Sequence, residues 1–182
     1  MDVVFPPAAR LRGERFTLEP LSVEAAVEMV DVLAAPDLYK HTGGSPPSLS
    51  ELTQRYERQV AGPESADEAW RNWIVRDDGR ALGYLQATIR RSGSEVAADI
   101  AWVVRPEQQG RGVAAEAASA VVPHLLAYGV GRVGATIADA NAASTAVARS
   151  LGMHRTTVEQ DGEQMWLLDD RSRPRGATGA RS

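Results

Sequence analysis

Two glycines, Gly110 and Gly112, lie close together just before a long, Ala-rich apolar run. The apolar run predicts a helix, and the first backbone N–H groups of a helix have no partner within it. Because the helix dipole adds positive potential at the same end, such a start binds anions well. Glycine lets the backbone approach an oxygen-rich ligand, and Arg111 or Arg105 can add formal charge. The segment therefore predicts a phosphate-binding turn.

The same glycine spacing is compatible with other interpretations. Many Gly-containing turns before helices only connect two elements. Gly110, Gly112 and Ala115 also satisfy in form the G-x-G-x-x-A pattern of dinucleotide-binding folds. That pattern should follow its strand directly, whereas here the polar residues 105–109 intervene and antiparallel strands are predicted before them. A P-loop is excluded because the sequence contains no Gly-Lys pair.

Three strands are predicted to lead into this turn. Apolar and polar residues alternate with a period of two in residues 71–77, 80–90 and 95–104. Short Gly-containing segments at residues 78–79 and 92–94 separate them, which is typical of hairpin turns. We therefore expect three consecutive antiparallel strands.

A helix and further strands are predicted to follow the turn. The four-residue spacing of apolar side chains predicts a buried helix, with a kink or a break at Pro123. Residues 131–138 predict another strand, and Asn141 is a suitable cap for a second helix that Gly152 ends. Two short strands are expected on either side of residues 161–162.

The first part of the chain predicts a strand followed by two helices. Residues 15–20 alternate as a half-buried strand does, and Ser22 is a candidate cap for the first helix. Residues 41–50 are rich in Gly, Pro and Ser, and either Ser48 or Ser50 could cap the second helix. We interpret this region as a loop and a helix over a cleft.

Composition indicates one soluble domain. The chain has 182 residues, of which 43 % are hydrophobic and 24 % charged, and it has no cysteine, so disulfides and a thiol nucleophile are excluded. A chain of this size buries about 70 % of its unfolded surface. Residues 169–182 hold four of the 20 basic and two of the 24 acidic residues, which leaves a net charge of −6 on residues 1–168. We expect one domain over 1–168 and a flexible basic tail over 169–182.

The same sequence argues against several partners and locations. An acidic body does not favour nucleic-acid binding. Pro6, Pro7 and Arg10 interrupt the start before a signal peptide could form, and no apolar run approaches the roughly 20 residues of a membrane span. The three histidines show no metal-ligand spacing, so no metal is expected. We expect a cytoplasmic protein with no membrane partner.

Two motifs in the right order resemble those of the GNAT superfamily of N-acetyltransferases. Residues 109–114 match the signature Q/R-x-x-G-x-G/A, with Gln109, Gly112 and Ala114 at its defining positions. Residues 141–144 and 151–153 are similar to the later N-x-x-S and L-G-F segments, and the opening LRGERFTLEPL is similar to the branch that acetylates ribosomal-protein N-termini at alanine or serine. The resemblance covers residues 11–168. It implies an α/β fold with a mixed, mostly antiparallel sheet, flanked by helices and splayed between two central strands, at residues 95–104 and 133–138.

The resemblance also implies how acetyl-CoA, the co-substrate, is bound. Backbone N–H groups of the turn would hold the pyrophosphate; the residues concerned are Gln109, Gly110, Arg111, Gly112, Val113 and Ala114. The main-chain edge at Trp102, Val103 and Val104 would pair with the pantetheine amides as an added strand does. Asn141 would touch the pantetheine as well, and Arg149 would reach a phosphate. Trp102 is equally compatible with a role as a core aromatic residue.

Catalytic roles follow from the resemblance with one departure. Many members have a tyrosine acid seven residues after the Asn, where this sequence has Ala148. Ser144 instead stands at the N-x-x-S position, as in the ribosomal-protein branch, where it would donate to the sulfur; capping of the helix start is the alternative. Asp99 is the candidate base, directly or through a water, although an Asp in an alternating strand also suits a solvent-facing role. The N–H of Val104 would stabilise the oxyanion. Other candidate bases are Glu95, Asp139 and Glu159.

The expected function is transfer of an acetyl group from acetyl-CoA to a primary amine by direct attack in a ternary complex. At pH 7 a lysine amine with a pKa of about 10.4 must lose its proton at a cost of about 4 to 5 kcal/mol, whereas an α-amino group near 8 needs about 1 kcal/mol. An N-terminal amine is therefore the easier acceptor. The leaving thiol resembles cysteine, with a pKa of about 8.5, so a general acid is helpful rather than obligatory. The alternative is a CoA-binding regulatory or interaction module without catalysis.

The acceptor and the oligomeric state stay open at this point. A protein or peptide N-terminus and a small-molecule amine both fit, and the acidic body favours a cationic acceptor mildly. Trp70, Trp73 and Tyr84 could line an acceptor pocket, although each also suits a core position. A monomer and a homodimer are both compatible with the sequence.

Overall fold

The strands of the protein form one sheet with helices on both faces. The computed structural model describes residues 5–41 and 43–169, which form eight strands and four α-helices. The strands are β1 Leu11–Arg12, β2 Thr17–Pro20, β3 Glu68–Asp77, β4 Arg80–Ser92, β5 Glu95–Val104, β6 Arg132–Ile137, β7 His154–Gln160 and β8 Glu163–Asp169. The helices are α1 Ala26–Val32, α2 Leu49–Ala61, α3 Val113–Ala127 and α4 Ala142–Ser150.

The sheet opens between its two central strands. Its order is β1-β2-β3-β4-β5-β6-β8-β7, and among these neighbours only β5 and β6 are parallel. β5 and β6 pair at three register positions, the last being Asp99 opposite Gly134. Beyond that position they separate, so residues 100–104 of β5 have no partner in β6. The predicted fold class, a mostly antiparallel sheet splayed between two central strands, is confirmed.

Tight turns join the antiparallel strands as expected. Asp78 and Gly79 have φ of 44° and 81°, and Asp161 and Gly162 have φ of 53° and 81°. Two successive residues with positive φ match the right-handed twist of a hairpin, and Asp-Gly is well suited to them. The turns predicted at these positions are therefore confirmed.

Alternating side chains give the sheet two packed faces. Trp73 and Leu85 point towards the core that α3 and α4 cover. Their sequence neighbours Ile74 and Tyr84 point to the opposite face, where they contact the smaller core formed by α1 and α2. The opening between β5 and β6 therefore lies between two different helical layers.

Helix α3 is the central buried helix, and it is not broken at its proline. Val113, Ala117, Val121 and Leu125 are each at most 2 % exposed, as their four-residue spacing predicted. A kink or a break was expected at Pro123; the break is wrong, because α3 continues to Ala127. Pro123 lies on the exposed side of the helix, where water can satisfy the carbonyl group that the missing N–H leaves without a partner.

Helix starts in the first part of the chain differ from the expectation in one case. Ser48 caps α2 through a reciprocal capping box, in which its hydroxyl accepts from Glu51 N at 3.3 Å and Glu51 Oε2 accepts from Ser48 N at 2.7 Å. The cap predicted at Ser22 is wrong, because its side chain makes no capping hydrogen bond. The chain instead enters α1 through the 3-10 turn Val23–Ala25.

The predicted basic tail, residues 169–182, lies outside the described residues except for Asp169, which ends β8. Within the described residues, none of the helices is long and apolar enough to cross a membrane.

Candidate active site

The glycine turn before α3 has the backbone shape that an anion site needs. Gly110 and Gly112 have φ of 71° and 78°, which side chains other than glycine rarely tolerate. Gly112 is the N-cap of α3 and supplies no side-chain oxygen, so no side chain caps the first turn. Residues 109–112 are exposed, whereas Val113 is 2 % exposed and anchors the helix in the core. The turn thus presents free main-chain donors at a rigid helix start.

A side-chain hydrogen bond joins this turn to the end of β5. Gln109 Nε2 donates to the carbonyl oxygen of Val104 at 2.9 Å. Arg105 N donates to Leu82 O on the β4 side, and Gly131 N donates to Val96 O on the β6 side. The main-chain groups of successive residues point to opposite edges of a strand. The N–H and C=O groups of residues 100, 102 and 104 therefore face the opening. The N–H of Val104 therefore points into it, beside the turn.

Close packing behind β5 fixes the shape of this edge. A Cβ on Gly83 would lie 2.0 Å from Val103 O and 2.9 Å from Val104 Cα, so only glycine fits there. The Trp102 side chain is partly buried against the α3 core, and Val103 packs against the α1 and α2 core on the other face. The side chains hold the strand in place, and its main chain is left to face the opening.

Glu116, in the first turn of α3, fastens the glycine turn to the β1–β2 connection. Its Oε1 accepts from Arg15 N at 2.6 Å and from Phe16 N at 3.1 Å, and its Oε2 accepts from Arg15 Nε at 2.9 Å. Arg15 Nη2 also donates to Arg111 O at 3.0 Å. Burial alone would raise the pKa of Glu116, but these hydrogen bonds and the guanidinium hold the pKa below its ordinary value. The sequence reasoning missed this cluster, because an acidic residue in a first turn is expected from the helix dipole alone.

At the start of α4, the side chain of Asn141 performs the capping. Asn141 Oδ1 accepts from Ser144 N at 3.0 Å, which confirms Asn141 as the predicted cap. The donor to Asn141 is the main-chain N–H of Ser144, so the Ser144 hydroxyl takes no part in the cap. Ala148 is fully buried in the core, and Arg149 lies over the ring of Trp166 at 5.7 Å from its centroid.

Asp99 lies where β5 and β6 separate. It is the register partner of Gly134, and a Cβ on Gly134 would lie 3.3 Å from Asp99 Oδ1. The side chain is 52 % exposed, and its Oδ2 forms an ion pair with Arg90 Nη1 at 2.9 Å. Of the other candidate bases, Asp139 is ion-paired with Arg155 at 3.0 Å. The structure thus places Asp99 at the apex of the opening and Val104 at its wide end.

The three aromatic residues expected to line an acceptor pocket lie in different environments. Trp73 is fully buried, and its indole donates to Ala9 O at 2.8 Å. Trp70 donates to Glu68 Oε1 at 2.6 Å and does not line the pocket beneath α2. Tyr84 does line it, as does part of Trp73. The remaining lining residues are Leu21, Leu33, Arg55, Tyr56, Gln59 and Asn72.

Comparison with known proteins gives a family match for the sequence and structural matches for the fold. A family model described as an acetyltransferase (GNAT) domain matches residues 15–154. Mycobacterium smegmatis RimJ in complex with CoA-disulfide superposes with a TM-score of 0.77 at 19 % identity, over 94 % of this chain and 92 % of that chain. A GNAT-family acetyltransferase from Bacillus anthracis superposes with a TM-score of 0.70 at 17 % identity, over 88 % and 98 %. The aminoglycoside acetyltransferase AAC(6')-Ib in complex with coenzyme A gives 0.70 at 17 %, over 86 % and 96 %. No curated protein matches the sequence.

Proposed function

Because the chain belongs to the acetyltransferase (GNAT) domain family and is an acyl-CoA-dependent N-acyltransferase, we propose that it transfers acetyl from acetyl-CoA to a primary amine. The acceptor amine attacks directly in a ternary complex. One observation carries the proposal: the opening between β5 and β6 has the glycine turn of residues 110–112 at its wide end and the N–H of Val104 facing into it. Structural neighbours solved with CoA or acetyl-CoA support the choice of co-substrate.

In this proposal the turn holds the diphosphate of acetyl-CoA. The backbone N–H groups of residues 110–114 donate to it, and Arg111 adds positive charge. The N–H of Gln109, which the sequence also suggested, already donates to Pro106 O at 3.2 Å. The N–H and C=O groups of Trp102 and Val104 pair with the pantetheine arm, and Asn141 contacts the same arm. Those of Val103, which the sequence also suggested, face β4. Arg149 lies over Trp166, so it must leave that ring if it is to bind a phosphate.

The chemistry requires a neutral amine, a stabilised oxyanion and a thiolate that can leave. The amine nitrogen attacks the thioester carbonyl carbon, forming the C–N bond while the carbonyl electrons move to oxygen. The N–H of Val104 stabilises that oxygen. When the intermediate collapses, the C–S bond breaks, and the thiolate takes a proton from the hydroxyl of Ser144, which regains one from water.

The proton that the amine loses is assigned to Asp99. Five residues of extended strand, about 16 Å, separate Asp99 from Val104, so the transfer runs through a chain of waters and not directly. The Asp99 Oδ2 lies 2.9 Å from Arg90 Nη1, which fixes the position of the carboxylate. The apex position supports this role, because a carboxylate there faces the same opening as the thioester. The alternative base Asp139 is ion-paired outside that apex.

Release of free thiol from acetyl-CoA tests the proposal, with a panel of N-terminal peptides, amino acids, polyamines and aminoglycosides as acceptors. Asp99→Asn should lower kcat by about 100-fold or more, as expected for a general base. Asp77→Asn, at the exposed end of β3, should leave kcat unchanged and is the matched control. Ser144→Ala should lower kcat by about ten-fold or less, since the thiol leaves readily, and Ser150→Ala is its control on the same helix. Tight CoA binding without thiol release for any acceptor would contradict the proposal and favour a binding module.

A further inference from the structure

The pocket beneath α2 contains a buried hydroxyl that has no hydrogen-bond partner. Tyr56 is 3 % exposed, and its hydroxyl lacks a partner among the described residues. A buried polar group without a partner is unfavourable, so native structures rarely keep one unless a ligand or a water completes it. Tyr56 lines a cavity of about 20 Å³, which has room for one small polar group.

The other polar groups of this pocket are mainly hydrogen-bond donors. Burial raises the pKa of Tyr56 and of Tyr84, so both hydroxyls stay protonated at neutral pH. Arg55 lies close enough to influence both phenols. In the part of the chain that the structure describes, Arg55 forms no ion pair. Asn72 and Gln59 line the same cavity and add amide groups.

Acidic residues near the pocket are already neutralised. Glu28 is the carboxylate close enough to act on Tyr56, and both of its oxygens accept from the Arg76 guanidinium. A cationic ligand would therefore meet the uncompensated charge of Arg55. An anionic group would meet one guanidinium and neutral hydroxyl donors, which is the set that binds a carboxylate.

The pocket lies next to the reacting edge. Tyr84 on β4 is the register partner of Val103 on β5, and both side chains lie on the face that α1 and α2 cover. Neighbouring strands are about 4.8 Å apart, so the pocket is roughly 5 to 10 Å from the edge where the amine must react. This is the span between the amine and a carboxylate in a short peptide.

We propose that the acceptor is a short peptide whose carboxylate binds Arg55 and the hydroxyl of Tyr56 while its amine reaches the β5 edge. This rests on the proposed transfer of acetyl to an amine. Net charge alone favoured a cationic acceptor. The proposal differs because the charge at the pocket itself is positive.

Matched acceptor pairs test the assignment. Amino acids, dipeptides such as alanyl-alanine, and tripeptides are each supplied as the free carboxylate and as the C-terminal amide, and kcat/KM is measured by thiol release. For the best pair we expect at least a ten-fold preference for the carboxylate, as for a hydrogen bond to a charged group. Arg55→Gln should remove that preference, and Tyr56→Phe should reduce it about three-fold. Arg58→Gln, an exposed arginine of the same helix, should keep it.

The outcomes separate this assignment from the proposed function. Acetylation of amines without a preference for the carboxylate, or with faster transfer to polyamines, overturns the pocket assignment alone. Absence of transfer to every amine, with CoA still bound, overturns the proposed function as well. Unfolding curves for Arg55→Gln and Tyr56→Phe show that the variants are folded. If Arg55→Gln lowers kcat/KM equally for both members of a pair, the residue has only a structural role and the assignment is wrong.

Discussion

The side-chain amide of Gln109 donates a hydrogen bond to the main-chain carbonyl of Val104 at 2.9 Å. This contact joins the glycine turn at residues 109–112 to the strand end whose N–H faces the opening. A diphosphate held by the turn is therefore at a fixed distance from the group that would stabilise the oxyanion. Preorganised donors of this kind stabilise charge without rearrangement during the reaction.

Removing this contact should weaken the use of acetyl-CoA more than it weakens the fold. In Gln109→Ala the loss of one hydrogen bond, about 1 kcal/mol, lets the turn move relative to β5. We expect the KM for acetyl-CoA to rise about five-fold. Gln160→Ala changes an exposed glutamine of β7, far from the turn in sequence, and should leave KM unchanged. Steady-state kinetics at saturating acceptor measures both, and equal KM values for the two variants would contradict the role of Gln109.

Alanine at Gly110 should affect both folding and CoA binding, whereas alanine at a glycine outside the turn should affect folding alone. Gly93, in the β4–β5 hairpin, has φ of 60°, and Gly110 has φ of 71°. A Cβ added at either glycine would lie in open space. Alanine at either position costs about 1 to 2 kcal/mol of folding free energy, so the two variants should unfold at similar denaturant concentrations. Gly110→Ala alone should also weaken CoA binding, measured by titration calorimetry. Equal CoA affinity in both variants would show that the turn does not hold the diphosphate.

Gly83 should tolerate no side chain, because it packs against the main chain of β5. The Cβ of Gly83→Ala would lie 2.0 Å from Val103 O, and backbone cannot move away as a side chain can. We expect a loss of about 3 kcal/mol or more in the free energy of unfolding, measured by urea denaturation. In Gly131→Ala the new Cβ meets Val96 O at an ordinary 3.7 Å, so this control should lose little stability. Normal stability of Gly83→Ala would show that β4 and β5 are less closely packed than described.

The Glu116 cluster predicts a particular acid sensitivity. Its carboxyl has a lowered pKa in the folded state, so its stabilising effect is complete above the ordinary value of 4.5 and is lost as the pH falls through the lowered pKa. The side chain is 14 % exposed, and Glu116→Gln should cost about 1 to 3 kcal/mol near neutral pH. The difference from the wild type should shrink below about pH 4.5.

Urea denaturation at a series of pH values measures this difference. Glu57→Gln, an exposed residue of α2, serves as the control and should show no such trend. A constant difference between wild type and Glu116→Gln from neutral to acid pH would contradict the role given to the Glu116 hydrogen bonds.

Much of the fold could be predicted because local patterns and tertiary structure agree. The period-two strands, the Asp-Gly turns and the four-residue spacing from Val113 to Leu125 each depend on neighbours in the sequence. Pro123 was misjudged because the tolerance of a helix for proline depends on which side faces solvent. Strand β1, with only Leu11 and Arg12, was missed because two residues show no period.

The site could be predicted only where it lies on contiguous sequence. The turn at residues 109–114 is one segment, so its glycines and Gln109 could be recognised together. The contact between Arg15 and Glu116 joins residues 101 positions apart, and the pocket of Arg55, Tyr56 and Tyr84 combines α2 with β4. Side chains brought together by packing leave no short-range pattern, so only the structure reveals them.

A crystal structure with bound CoA tests the central claim most directly. The account predicts diphosphate oxygens within about 3 Å of the N–H groups of residues 110–114, with the pantetheine arm along β5 and the sulfur near Val104 in the opening. A diphosphate bound anywhere else, or an arm that avoids the gap between β5 and β6, would contradict it.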